Sequence, residues 1–203
     1  MKAEDYLQQT EPAVQYLFDG LEAYDSMRPP SIADFLDENG VVRMTKAENE
    51  AFLRAHEGFF ALEFARASLA GSILQIAYMG LKKHSQVRGV SAQCSSLGVT
   101  KGAPAKKFCL GRDVKGIPIG LMIYAGRVQY NHWEAGEPRN KVAQRVFREL
   151  VMAYYDNQHF DMAYVLDFAG PRPVSHYIIR LELGWHTYDN YLIDMSAMLG
   201  CQQ

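Results

Sequence analysis

Residues 45–83 read TKAENEAFLRAHEGFFALEFARASLAGSILQIAYMGLKK, and the fold turns on how they are read. Thr45 followed three residues later by Glu48 is a capping-box pattern, in which hydroxyl and carboxylate each satisfy a free backbone N–H. No proline or turn cluster follows before Lys83. Phe52, Leu53, Phe59, Phe60, Leu62, Phe64, Leu69, Ile73, Leu74, Ile76, Ala77 and Leu81 favour one broad face at helical spacing. The stretch predicts a single rod roughly 55 Å long at about 1.5 Å per residue, with Gly71 and Gly80 as its weak points.

Other segments arrange themselves around this rod. On the N-terminal side, Thr10-Glu11-Pro12 reads as a helix start carrying Val14, Leu17, Phe18 and Leu21, stopped by Arg28-Pro29-Pro30. Ser31 is placed to cap a short helix with Ile32, Phe35 and Leu36 that Asn39-Gly40 ends. On the C-terminal side, residues 116–134 run from a near-continuous apolar stretch into Arg127, Tyr130, Asn131, His132, Trp133 and Glu134. They read as a buried helix with a polar end, in which Gly116, Gly120 and Gly126 allow close packing. Glu137-Pro138-Arg139-Asn140 makes a turn, and Val142, Val146, Phe147, Leu150, Val151 and Tyr154 carry an amphipathic helix to about Asp156. Met162 to Phe168 fits either a short helix or a buried strand, and Ala169-Gly170-Pro171-Arg172-Pro173 is a loop. A helix through Tyr177, Ile178, Leu181 and Leu183 ends at Gly184. Thr187 then caps a last one through Tyr191, Leu192, Met195 and Met198. The expected fold is all-α: one domain, a helical bundle with one long central helix and extra N- and C-terminal helices.

Composition sets bounds on function. A chain of 203 residues, 48% hydrophobic and 22% charged, is ordinary for a globular protein. A net charge of −2 excludes a globally basic nucleic-acid binder and leaves local patches open. Cys94, Cys109 and Cys201 are odd in number and widely spaced, which suits free thiols in a reducing cytoplasm. The N-terminus has no signal-peptide pattern, and the longest apolar-rich uncharged stretch, 67–80, is too short to span a bilayer. No nucleophile elbow, Walker loop, dinucleotide fingerprint or metal-ligand spacing occurs, and no cofactor is implied. His56, Glu57 and Glu63 on the rod lack such spacing, which gives His56 a structural role.

Charge is nevertheless uneven. From Phe64 to Arg112 there are eight basic residues (Arg66, Lys82, Lys83, Arg88, Lys101, Lys106, Lys107 and Arg112) and no Asp or Glu. Residues 84–107 show no period and read as a structureless loop. Its lysines either neutralise acidic neighbours or form a flexible basic arm for phosphates, with Lys101, Lys106 and Lys107 as substrate-binding candidates.

Arg127 and His132 are separated by four residues. With twelve arginines and six histidines, about one such spacing arises by chance, and Arg180 to His186 is a second. The segment Gly126-Arg127-Val128-Gln129-Tyr130-Asn131-His132-Trp133, set after a long helix and before another, resembles the motif helix of HEPN-domain ribonucleases. The resemblance covers about residues 45–156. It implies a metal-independent endoribonuclease, toxin-like in character, whose homodimer brings two motifs together over single-stranded RNA, with an antitoxin or other protein as a further partner. Arg127 and His132 would then be catalytic, the arginine holding the phosphate and the imidazole moving a proton. Tyr130, Asn131 and Trp133 would bind substrate. Val128 stands where that family usually carries Asn, Asp or His. Two other functions fit the residues: a non-catalytic module for nucleic acid, nucleotide or protein, and a small-molecule site between helices near Trp133 and His56.

Overall fold

The computed structural model describes residues 1–27, 32–37, 41–135, 140–156 and 173–201, without the side chains of 32, 33, 56–60 and 135. The architecture is an all-α bundle with one two-stranded hairpin. Among the described residues its helices are α1 (Ala3–Asp25), α2 (Lys46–His84), α3 (Ala92–Ser96), α4 (Ile119–His132), α5 (Lys141–Asp156), α6 (Ser175–Tyr177, continued as a π-turn over Ile178–Glu182) and α7 (Tyr188–Leu199). The hairpin strands are β1 (Asp113–Val114) and β2 (Ile117–Pro118), antiparallel, with Val114 opposite Ile117.

The central rod is α2. Its start follows from the capping box: Glu48 N donates to Thr45 Oγ1 at 3.3 Å, and Thr45 N donates to Glu48 Oε2 at 2.7 Å. It runs unbroken through Gly71 and Gly80. α1, α4 and α6 pack along it, α5 packs on the outside of α4, and α7 closes against α1. The core holds Phe18, Leu21, Ile73, Leu74 and Leu81, most of the first half of α4, Phe147, Trp185 and Tyr191.

Several boundaries differ from the sequence expectation. α1 begins at Ala3, not at Thr10, so Pro12 lies inside the helix. Pro12 is exposed, where water can satisfy the carbonyl whose partner N–H is missing. Leu7, Val14, Phe18 and Leu21 bury one face across it, and that burial outweighs one lost hydrogen bond. Residues 84–107 are an ordered set of short elements, not a loose arm. Cys94, Leu97, Val99, Ala105 and Phe108 are all buried, in or beside helices of five residues, too short to show a period. Ile32–Phe35 is a 3₁₀ turn, Leu36 bridges Val42, and Phe35 meets Phe52 edge-on. The proposed cap Ser31, the breakers at 28–30 and 39–40, the 137–139 turn, and the 162–168 and 169–172 readings fall outside the described residues.

α4 also starts later than expected. Gly116 belongs to the hairpin turn, where Lys115 and Gly116 take left-handed backbone with φ of 52° and 76°, as a tight hairpin requires. Gly120 opens the helix against the chain before it: a Cβ there would strike the Phe108 carbonyl oxygen and lie 2.9 Å from that of Leu110. Backbone oxygens cannot step aside as a side-chain tip can. The variant Gly120→Ala should therefore lose about 1–3 kcal/mol in urea unfolding, whereas Gly89→Ala, in open space, should stay within about 0.5 kcal/mol of wild type.

A candidate anion-binding pocket beside the Arg127 helix

The seam between α2 and α4 positions Arg127. Its Nε donates to Gln75 Oε1 at 2.9 Å, and its guanidinium lies 4.7 Å from the Tyr78 ring centroid. With its amide oxygen turned to the guanidinium, Asn131 accepts from Nε and Nη2 at 3.0 Å each, the contact expected four residues on along a helix. A charged hydrogen bond of about 1.5–3 kcal/mol and a cation–π contact of about 0.5–2 kcal/mol hold the side chain in place. Arg127 would thus meet a ligand where it stands, half-buried.

His132 is not part of this arrangement. It is exposed at the last residue of α4, about 140° around the helix from Arg127 at about 100° per residue. Among the described residues no hydrogen bond or ion pair joins the two. Tyr130 lies flat against Gly71, where a Cβ would fall 2.5 Å from its ring, and Trp133 meets Phe64 edge-on at 6.0 Å. Val128 is buried in the core. The other Arg–His spacing has a structural explanation. Arg180 pairs with Asp25 at 2.7 Å and donates to the carbonyls of Trp185 (3.0 Å) and His186 (2.7 Å), closing the end of the π-turn.

The three candidate lysines do come together. Lys101, Lys106 and Lys107 line a cavity of about 280 Å³ with Tyr78, Lys82, Gly102, Ala103, Pro104 and Phe108. Local chain geometry explains the convergence. Ala105 and Phe108 are buried three residues apart on the 3₁₀ helix Pro104–Phe108, which turns Lys106 and Lys107 outward. Ala103 N closes the preceding turn on Thr100 O at 3.0 Å and brings Lys101 to the rim. Lys107 Nζ donates to the Lys82 carbonyl at 2.6 Å, capping the C-terminus of α2 where a cation is favoured. Phe108 stacks on Tyr78 at 4.8 Å and 20°. None of the four lysines has an ion pair with a carboxylate among the described residues. Tyr78 and Lys82, missed as site residues, were visible as a pair four apart at the end of the rod, Lys82 falling within the one-sided charge run.

Acidic partners are instead committed elsewhere. Glu182, its side chain fully buried, pairs with Lys115 Nζ at 2.8 Å and accepts from Tyr154 Oη at 2.7 Å. Burial and the neighbouring carboxylate push the Tyr154 phenol well above its usual range, so it stays a donor. Asp194 takes a bidentate contact from Arg112 and a 2.8 Å hydrogen bond from the buried Trp185 indole. Glu63 bonds Arg66 at 2.8 Å and lies 3.5 Å from His176. Burial lowers the His176 pKa, with Glu63 the largest opposing influence. Among the described residues no group of three or more His, Cys, Asp or Glu is placed to hold a metal ion, and no helix is long and apolar enough to cross a membrane. Cys94, Cys109 and Cys201 are free thiols. The His56 side chain lies outside the described residues, and with it the site imagined between Trp133 and His56.

The chain is thus a helical bundle with a lysine-lined cavity set against the helix that carries Arg127. Compared with known proteins, it matches no family model, no curated protein and no solved structure. The buried pairing of Lys115 with Glu182 should be what holds the hairpin down. Lys115→Met should cost about 3–5 kcal/mol in urea unfolding by stranding a buried carboxylate, and Lys115→Met with Glu182→Leu should regain most of that loss.

Proposed function

We propose that this protein is a helical module that binds phosphate-bearing ligands in the cavity between the C-terminus of α2 and the Pro104–Phe108 turn. The observation that carries the reading is the convergence of Lys82, Lys101, Lys106 and Lys107 on one cavity, with no carboxylate partner among the described residues. Lysines that served only to neutralise the protein's own acids would sit against Asp or Glu. Here, among the described residues, Asp25, Glu63, Glu182 and Asp194 pair with Arg180, Arg66, Lys115 and Arg112, not with these lysines. A cavity bordered by four lysines favours a polyanion, and phosphate is the common one. Among the described residues the lining holds no imidazole or carboxylate, and the reading is one of binding.

A second reading, a metal-independent ribonuclease of HEPN type, is favoured by one feature. Arg127 is already held by Gln75, Tyr78 and Asn131, and His132 stands exposed close by in the chain. That reading needs a homodimer to bring an imidazole to a guanidinium. It also has to do without a polar side chain at Val128.

Two assays separate the readings. For binding, titration with adenosine triphosphate and with single-stranded RNA should show at least one ligand bound by wild type. Lys101→Glu with Lys106→Glu should weaken it by about tenfold or more, and Lys83→Glu, outside the cavity, should not. Equal binding by all three proteins contradicts the pocket. For cleavage, RNA is incubated in EDTA with wild type, Arg127→Ala and His132→Ala, each checked for folding. Cleavage lost in both variants would establish the ribonuclease, and equal activity or none in all three would remove it.

A further inference from the structure

We infer that the occupant of the lysine cavity is a compact oligophosphate chain, free or at the end of a nucleotide, and not a nucleic-acid strand. The inference rests on the phosphate-binding reading above and narrows it to a ligand class.

Charge density is the first argument. Four ammonium-bearing side chains line about 280 Å³, and like charges confined to so small a space repel one another. The relief is greatest for a ligand that concentrates negative charge. A nucleic-acid strand offers one charge per phosphate, spread along an extended backbone. An oligophosphate places several charges on adjoining phosphate groups, where Lys82, Lys101 and Lys106 can meet them together.

Size points the same way. Pockets that enclose drug-sized ligands run from about 300 to 1,000 Å³, so this cavity lies at the small end. A hollow of that size suits a compact ligand.

The aromatic residues argue against a strand. Proteins that hold single strands stack successive bases on exposed ring faces. Tyr78 and Phe108 line the cavity, but they are 9% and 1% exposed and stack on each other. They form a buried floor and leave no platform for a base.

The choice of cation is the last point. Among the described residues no arginine lines the cavity. Arginine recognises phosphate through a planar, directional fork, whereas lysine acts as a rotatable point charge. Lysines around a small hollow suit a ligand recognised by charge and compactness. Lys107 is tethered by the Lys82 carbonyl and fixes the rim, leaving Lys82, Lys101 and Lys106 to close on the chain.

The test is calorimetric titration of the full chain at fixed salt with sodium tripolyphosphate, orthophosphate, adenosine triphosphate, adenosine and a short oligouridylate. Tripolyphosphate should bind about tenfold or more tighter than orthophosphate and than the oligouridylate. Adenosine triphosphate should follow tripolyphosphate, and adenosine should not bind. Lys101→Gln with Lys106→Gln, a milder change for use should charge reversal disturb folding, should weaken tripolyphosphate severalfold with unchanged thermal unfolding. Oligouridylate binding as tightly as tripolyphosphate, or more so, would overturn the inference while leaving the phosphate-binding reading in place. An adenosine-dependent affinity would overturn it as well. No binding of any phosphate-bearing probe would overturn both.

Discussion

The antiparallel seam of α2 against α4 is the constraint on which the rest of the structure depends. Gly71 receives the Tyr130 ring, and Gly126 approaches Leu74, where a Cβ would fall 2.9 Å from its Cδ1. Further along, Arg127 reaches Gln75 and Tyr78. Small residues at two points let the helices approach, and approach at those points puts the guanidinium over the tyrosine at the third. Tyr78 is also the inner wall of the lysine cavity. Stability and the candidate site therefore share one row of contacts, so substitutions that loosen the seam are expected to disturb both.

Around this seam four acidic side chains, Asp25, Glu63, Glu182 and Asp194, are held in internal ties. Asp194 clamps Arg112 and Trp185, Glu182 holds Lys115 and Tyr154, and Asp25 with Glu63 gathers Arg66, Arg180 and His176. These ties join parts of the chain far apart in sequence: the hairpin region to the C-terminal segment, and the end of α1 to α6. A buried carboxylate with its partner in place is tolerable, and one without it is expensive. The lysines of the cavity stand apart from these networks. Among the described residues none of them pairs with a carboxylate.

Much of the fold was legible because long elements carry their own signals. Thr45 with Glu48 marked the start of α2 within a residue, Thr187 marked α7, and the buried face of α5 followed its 3.6-residue period. The errors lay where local rules were overridden or had no room to show. Pro12 looked like a helix start because proline is welcome there, but an exposed proline inside α1 costs less than the buried face it interrupts gains. The segment after α2 looked structureless because elements of five residues cannot display a period. Its charge asymmetry was plain, yet sequence could not tell whether carboxylates from other helices would cover Lys101, Lys106 and Lys107. That depends on where Glu63, Glu182 and Asp194 go in three dimensions. The Arg127–His132 spacing was equally visible, and helix geometry already placed the two side chains apart.

The central claim is that the lysine cavity, and not the Arg–His end of α4, is where an anion settles. A crystal of the protein soaked in tungstate, a heavy phosphate analogue located by its anomalous scattering, tests it most directly. The account predicts the anomalous peak in the cavity, within contact of Lys82, Lys101 and Lys106. A peak held by Arg127 and His132, with the cavity empty, would contradict it.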